Sequence, residues 1–193
     1  MENQLKNTTG LADKFSPVPA QQPGRKKRRG AASEYKKSLQ EKQTLKRMYG
    51  MSERQFKSYV KEVLEKVHKV ENLSDELIKH LEKRLDNVVF RLGFAKTRAQ
   101  SRQLVNHGYF LVNGKPVNIP SFQVKLGEVV AIKENKKKKM IFNDLPDTLK
   151  KIQAQTWLDI NKEKLEGKLV ADPSLAEVNP PVEISLIFEF YSK

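Results

Sequence analysis

From Glu34 onward, apolar residues recur at helical spacing between charged ones. Tyr35, Leu39, Leu45 and Met48 lie among Lys and Glu, and Gly50 stands where a helix stop is needed. Ser52 with Gln55 three residues on has the form of a capping box, and Phe56, Tyr59, Val60, Val63, Leu64, Val67 and Val70 follow as one stripe. A third helix is predicted to open at Ser74, with Asp75 and Glu76 complementing its dipole. It would run through Leu77, Leu81, Leu85, Val88, Val89 and Leu92 to a stop at Gly93. A second capping box, Thr97 to Gln100, opens a short helix whose buried face is read as Ala99, Leu104 and Val105 and which Gly108 closes.

The period then changes from helical to alternating. Tyr109 to Val112 reads as a strand, and Asn113-Gly114 is a type I′ hairpin signal leading into Lys115-Pro116-Val117. Pro116 cannot donate to a ladder, so this arm should be short or lie at an edge. Gly127 marks a turn before a strand from Glu128 to Ile132. Pro146 sits near the start of a short helix through Ile152, and Trp157-Leu158, Lys168 to Val170 and Ile184 to Tyr191 read as strands. The expected class is α+β, with three helices, then two helices and a small antiparallel sheet. Residues 1 to 33, with Pro17, Pro19, Pro23 and the run Arg25-Lys26-Lys27-Arg28-Arg29, read as an irregular basic extension. It is either an arm that orders on a partner or a solvated tail or localisation signal.

Composition narrows the partners. The 193 residues include 37 Lys or Arg and 23 Asp or Glu, a formal charge of +14, and no Cys. Zero cysteines removes disulfides, thiolate metal sites and cysteine nucleophiles. Leu, Ile, Val and Phe number 53, enough for one moderate or two small cores. No apolar run is long enough to span a bilayer, and Met1-Glu2-Asn3-Gln4 lacks a signal-peptide pattern, so a soluble protein is expected. Excess positive charge is best tolerated where a polyanion offsets it, nucleic acid first and an anionic membrane second. The charge is uneven: +8 over residues 1–50, +3 over 51–100, +5 over 101–150 and −2 thereafter.

Between Asp86 and Glu128 lie 41 positions without an acid, containing Arg91, Lys96, Arg98, Arg102, Lys115 and Lys125. Arg98 and Arg102 are one helical turn apart, flanked by Gln100 and Ser101. The helix start at Thr97 to Ala99 offers unpaired N–H groups to a phosphate, and His107, Asn113 and Lys115 should lie at the module's other end. Such a patch suits backbone phosphates and 2′-hydroxyls. Charged residues on an exposed helix are often merely solvated, but the basic arm and Lys136-Lys137-Lys138-Lys139 point the same way.

The string Arg84-Leu-Asp-Asn-Val-Val-Phe-Arg-Leu-Gly-Phe-Ala-Lys-Thr-Arg-Ala-Gln-Ser-Arg-Gln-Leu-Val-Asn-His-Gly108, with Leu111 to Lys115 and Ile119-Pro120-Ser121, closely resembles the bacterial family of small-subunit ribosomal protein number four. The likeness extends to Glu41-Lys42-Gln43, Met48-Tyr49-Gly50, Glu53 to Phe56, Trp157-Leu158 and Glu189 to Lys193. The resemblance implies a structural, primary binder of small-subunit (16S-type) rRNA in the cytoplasm. Such a protein helps nucleate assembly of the subunit body, contacts ribosomal protein number five and, with proteins three and five, lines the mRNA entry channel, an interface linked to decoding accuracy. It also implies a helical domain over 34–83 completed by 180–193, an inserted RNA-binding module over 84–147, and the rest of the insertion over 148–179. Carried over residue by residue, RNA-facing positions are Arg47, Tyr49, Arg54, Arg84, Asn87, Arg91, Lys96, Thr97, Arg98, Gln100, Ser101, Arg102, His107, Asn113 and Lys115, beside the Arg25–Arg29 run. Tyr49 can either stack on a base or anchor packing. Leu85, Val88, Val89, Leu92, Leu104 and Val105 are assigned to the core.

Many family members carry an N-terminal cysteine cluster for zinc or an iron-sulfur centre. This chain resembles a form without it, so no cofactor is expected. Asn179-Pro180-Pro181-Val182-Glu183-Ile184-Ser185 also departs from the family pattern before the last element. Rival readings are an RNA-modifying or tRNA-binding accessory protein using the same module, a membrane-surface protein and a DNA-binding regulator. The first lacks room for a catalytic domain. Gly108 to Gly114-Lys115 fails the phosphate-loop spacing, and His68, His80 and His107 lack metal-ligand spacing. Asp144 and Asp147 beside Pro146 are read as helix-start residues. The apolar stripes are consumed by helix packing, which counts against a membrane, and the helix-hairpin order is a poor match to helix-turn-helix docking on DNA.

Overall fold

In the computed structural model, which describes residues 34–151 and 155–192, the first three helices are α1 (Glu34–Met48), α2 (Glu53–Leu64) and α3 (Leu73–Glu82). The turn after α1 carries Gly50 at φ +60, and Ser52 and Gln55 form both halves of the predicted capping box. The α2 helix ends at Leu64, so Val67 falls outside it and is 46% exposed. The cap of α3 is Asn72 rather than Ser74, because the Asn72 side-chain oxygen accepts from the Ser74 and Asp75 amides at 2.9 and 3.4 Å.

The long helix expected from Ser74 to Gly93 is two helices. After α3, Lys83 and Arg84 break the helix, and α4 spans Leu85–Arg91. The break follows from competition for backbone groups: Val124 N–H donates to Lys83 O (2.8 Å), Leu85 N–H to Phe122 O (2.8 Å) and Asp86 N–H to Pro120 O (3.1 Å). A distant segment thus takes the hydrogen bonds that a continuous helix would use. The apolar stripe survives but changes hands. Leu77 and Leu81 belong to one hydrophobic cluster, with Leu45, Phe56, Val60 and Val63, while Leu85, Val88, Val89 and Leu92 belong to a second with Phe110, Ile132 and Trp157.

The fifth helix, α5 (Arg98–Asn106), has Thr97 as its cap, whose hydroxyl accepts from Gln100 N–H at 3.1 Å. Gln100 returns its side-chain oxygen to Lys96 N–H (2.6 Å) instead of to Thr97. The buried face is Ser101, Leu104 and Val105, whereas Ala99 is exposed. Ser101 goes inward because its hydroxyl donates to Asp86 O.

The strands β1 (Phe110–Val112), β2 (Lys115–Val117), β3 (Val129–Ile132), β4 (Leu158–Asn161) and β5 (Glu166–Leu169) form one antiparallel sheet in the order β2-β1-β3-β5-β4. Asn113 (φ 49) and Gly114 (φ 77) are both left-handed, as a type I′ turn requires, and Pro116 sits on the edge strand opposite Leu111. The sheet is small and antiparallel as expected, and it takes in the later hairpin because β3 pairs Val129 with Lys168. Gly167 is needed there, since a Cβ at that position would collide with the Leu92 side chain.

After β3, α6 (Glu134–Lys137) carries part of the lysine run, a 3-10 turn spans Met140–Phe142 and α7 spans Leu145–Lys151. The predicted end of that helix at Ile152, and the whole Arg25–Arg29 arm, lie outside the described residues. A short α8 (Leu175–Val178) ends on left-handed Asn179. The final segment is helix α9 (Ile184–Ser192), not the predicted strand. Ile184, Ile187, Phe188 and Tyr191 stand at i, i+3, i+4 and i+7 and pack into the cluster of Leu45 and Phe56, and this burial overrides the strand preference of Ile, Phe and Tyr. The end of the chain thereby returns to α1 and α2. Lys42, nearly buried, lies over the Phe190 and Tyr191 rings at 4.4 and 5.7 Å and pairs with Glu53 at 2.5 Å. The class is α+β.

Candidate nucleic-acid interface

Two acids at the break between α3 and α4 organise the basic residues around it. Glu82, fully buried, accepts from Tyr49 Oη (2.6 Å), Asn87 Nδ2 (2.5 Å) and, in bidentate form, Arg91 Nε and Nη2 (2.9 and 2.7 Å). Asp86, 5% exposed, accepts Arg84 Nε and Nη2 (3.0 and 2.7 Å) and Arg102 Nε and Nη2 (3.0 and 2.9 Å). Buried charge is tolerable because each carboxylate oxygen is hydrogen-bonded to a cation or polar donor. Burial, reinforced by the Glu82 carboxylate, pushes the Tyr49 hydroxyl well above its ordinary range, so it stays a donor. For Arg84 and Arg91, burial works against the charge, but their carboxylate partners outweigh it and the pKa rises.

Arg98 is the exception. Burial pulls its pKa down and Arg91 adds to the effect, because its nearest carboxylate oxygen, on Glu82, is 4.0 Å away. Its Nε donates to Asn87 Oδ1 (2.8 Å), and its guanidinium lies over Phe90 (4.5 Å) and Tyr49 (5.0 Å). Arg98 lines a surface notch of about 260 Å³ with Arg47, Met48, Tyr49, Gly50, Ala99 and Arg102. Arg102 also closes onto Gly50 O and onto Tyr49 O (3.4 Å), tying α5 to the turn after α1. Arg47 is exposed and makes no ion pair among the described residues. The notch is therefore lined by three arginines, and the charge of Arg98 and Arg47 is not matched by a hydrogen-bonded carboxylate among the described residues. Such a site suits an anion that accepts several hydrogen bonds, above all a phosphate.

The structure brings Arg47, Tyr49, Arg98 and Arg102 together. Tyr49 is 3% exposed with its hydroxyl on Glu82, so it anchors packing and its ring is not open for base stacking. Arg84, Asn87 and Ser101 are likewise interior, at 1%, 2% and 0% exposure, and Arg91 is committed to Glu82. These four hold the site from beneath, because the two carboxylates draw in Arg84, Asn87 and Arg91 and the main-chain oxygen of Asp86 draws in Ser101. Arg98 and Arg102, expected on an open helix face, lean into the same network, with side chains 21% and 28% exposed. Lys96 is exposed and pairs with Asp144 at 3.1 Å. Thr97 and Gln100 serve the helix start. Arg54 and His107 are exposed on α2 and at the end of α5, and Lys115 is exposed on β2. Asn113 is exposed too, but its Oδ1 accepts from Val129 N–H (2.9 Å) and so serves the hairpin.

Sequence reading passed over Glu82 and Asp86. A signal for Glu82 was present: with Ile78, Leu85 and Val89 it occupies an apolar-stripe position, where an acid must have buried partners. It also missed Lys133, whose Nζ lies 3.6 Å from where a Cβ on Gly108 would stand, and the stacking of Lys136 over Tyr109 at 5.1 Å. Among the described residues no group of His, Asp or Glu could hold a metal ion, and no helix is long and apolar enough to cross a membrane.

Residues 83–130 match the S4 domain, and residues 2–82 match the ribosomal protein S4/S9 N-terminal domain. The boundary between the matches falls at the break between α3 and α4. Small ribosomal subunit protein uS4 of Thermodesulfovibrio yellowstonii is 46% identical over 166 residues, covering 86% of this chain and 78% of its own. The protein of the same name from Halothermothrix orenii is 44% identical over 167 residues (86% and 79%), and that from Nitrosococcus oceani is 43% identical over 183 residues (93% and 85%).

Proposed function

The chain belongs to the family of small ribosomal subunit protein uS4, and on that premise we propose that the arginine notch between α1 and α5 is where it grips the phosphate backbone of small-subunit rRNA. Its function is that of a structural, rRNA-binding constituent of the small ribosomal subunit. The observation that carries the site is the convergence of Arg47, Arg98 and Arg102 on one notch of about 260 Å³, at a joint that buried Glu82 and Asp86 hold rigid. Lys96, His107, Lys115 and the lysine run over 136–139 extend the grip as surface charges that meet phosphates without fixed geometry. Residues 34–83 with 180–193 act as the helical domain that carries the notch's α1 side, and the module over 84–147, with 148–179, supplies the α5 side.

In the subunit this grip nucleates folding of the body of the RNA. Contacts to ribosomal proteins number five and three, a share in the mRNA entry channel with its bearing on decoding accuracy, and a cytoplasmic setting complete the proposal. Filter binding of the full chain to folded small-subunit rRNA and to duplex DNA, from about 50 to about 200 mM salt, tests it. Preference for the rRNA at every salt, with affinity falling steeply as salt rises, is expected. Equal affinity for duplex DNA would overturn it.

A further inference from the structure

Of the four arginines around Glu82 and Asp86, only Arg98 lacks a hydrogen-bonded carboxylate among the described residues. Its Nε is spent on Asn87 and its flat face on Phe90 and Tyr49, while its Nη groups carry no hydrogen bond among the described residues, Nη2 standing 4.0 Å from Glu82 Oε1, and so remain able to donate to a ligand in the notch it lines. A guanidinium recognises a phosphate as a planar fork, and therefore its plane has to be set before the ligand arrives. Asn87, 2% exposed, is the group that sets it. Both of its N–H bonds go to Glu82, one to the main-chain oxygen (3.1 Å) and one to Oε2 (2.5 Å), which leaves Oδ1 for Arg98. The amide cannot turn over, since that would face its oxygen to the Glu82 carboxylate and its NH2 to the guanidinium. Glu82 is fixed in turn by Arg91 and by Tyr49.

We propose that Asn87 is a positioning residue for RNA binding: the relay Glu82–Asn87–Arg98 pre-orients the Arg98 guanidinium for one phosphodiester in the notch. This rests on the rRNA-binding reading above. Asn87 itself touches no ligand and acts only through Arg98.

The test is a double-mutant cycle on the full chain, read by filter binding to folded small-subunit rRNA, with thermal unfolding followed in parallel. Asn87→Ala and Arg98→Ala should each weaken binding about tenfold, and the double variant should bind no more than about twofold more weakly than Arg98→Ala alone. Loss of stability alone would not produce that coupling. A roughly hundredfold, additive loss in the double variant, or Asn87→Ala binding as the unaltered chain does, overturns the relay. Arg98→Lys keeps the charge at the surface but has no fork to orient, and it decides the matter if Asn87→Ala does not fold. Binding close to that of Arg98→Ala supports the relay, and unaltered affinity overturns it. Failure of the unaltered chain to bind rRNA would overturn the parent reading as well, whereas additivity with normal wild-type binding removes the relay alone.

Discussion

The arginines at the α3–α4 break and the lysines of 136–139 carry the same sign of charge in opposite settings. At the break, Arg84, Arg91 and Arg102 are tied by paired hydrogen bonds to two carboxylates that are 0% and 5% exposed. In the run, Lys138 and Lys139 are exposed, Lys137 pairs with Glu134, and Lys136 lies over the Tyr109 ring. The first setting converts charge into geometry, since removing one partner leaves a buried ion without compensation. The second leaves charge as charge, free to be screened by salt and to follow an irregular backbone. On the proposed reading, one set of basic residues fixes the shape of the grip and the other holds the RNA loosely around it.

The largest effect expected from breaking this contrast is on Glu82. Glu82→Ala strands Arg91 and Asn87 in the interior and should destabilise the fold by about 3 to 5 kcal/mol, measured by urea unfolding. A loss below about 1 kcal/mol would mean that water reaches these groups and that the joint is not rigid. Arg102→Ala comes next. It leaves Asp86 still paired with Arg84 but releases α5 from Tyr49 O and Gly50 O, so a loss of about 1 to 3 kcal/mol should appear in the same assay. Replacing Lys136, Lys137, Lys138 and Lys139 together by Gln should behave in the opposite way. Stability should stay within about 0.5 kcal/mol, while the slope of log affinity against log salt for rRNA becomes shallower by roughly 0.7 to 0.9 for each phosphate no longer neutralised. An unfolding defect in that variant would erase the distinction.

Glu53 stands between the two extremes. Its partial burial would raise its pKa, but hydrogen bonds from Lys42, Lys46 and Tyr191 prevail and lower it to about 2. A folded-state pKa below the unfolded one stabilises the protein above the unfolded value, 4.5, and that contribution fades as pH falls toward about 2. Unfolding midpoints between pH 6 and pH 2 should therefore drop less for Glu53→Gln than for the unaltered chain. Because Glu53 is 46% exposed at its side chain, this is the smallest of the four effects. Parallel pH curves for the two proteins would show that the α9 latch does not depend on this charge.

Local chemistry was the legible part of the sequence. The Ser52–Gln55 capping box and the Asn113-Gly114 turn each need only a few neighbouring residues, and both stand as read. The split of the helix at Lys83 was not legible, because the groups that break it come from Pro120, Phe122 and Val124 and compete only after the chain has folded. The α9 helix was hidden by residue types that favour strands, although the spacing of Ile184, Ile187, Phe188 and Tyr191 is helical. The site followed the same division. The arginines were visible as a run without acids, but Glu82 and Asp86, just before that run, turn inward and decide which arginines remain free. Burial is a tertiary property, and so Tyr49, Asn87 and Ser101 could not be sorted from Arg47 and Arg98 by sequence position alone.

The central claim is that Arg84 and Arg91, bound to Asp86 and Glu82 behind the notch, shape it, while Arg47, Arg98 and Arg102, which line it, meet RNA. Mapping arginine modification by a dicarbonyl reagent, with mass spectrometry of the free protein and of its complex with small-subunit rRNA, tests that division directly. Arg84 and Arg91 should react slowly in both states, while Arg47, Arg98 and Arg102 should react in the free protein and be protected by the RNA. Equal reactivity of Arg47, Arg98 and Arg102 with and without rRNA would contradict the account.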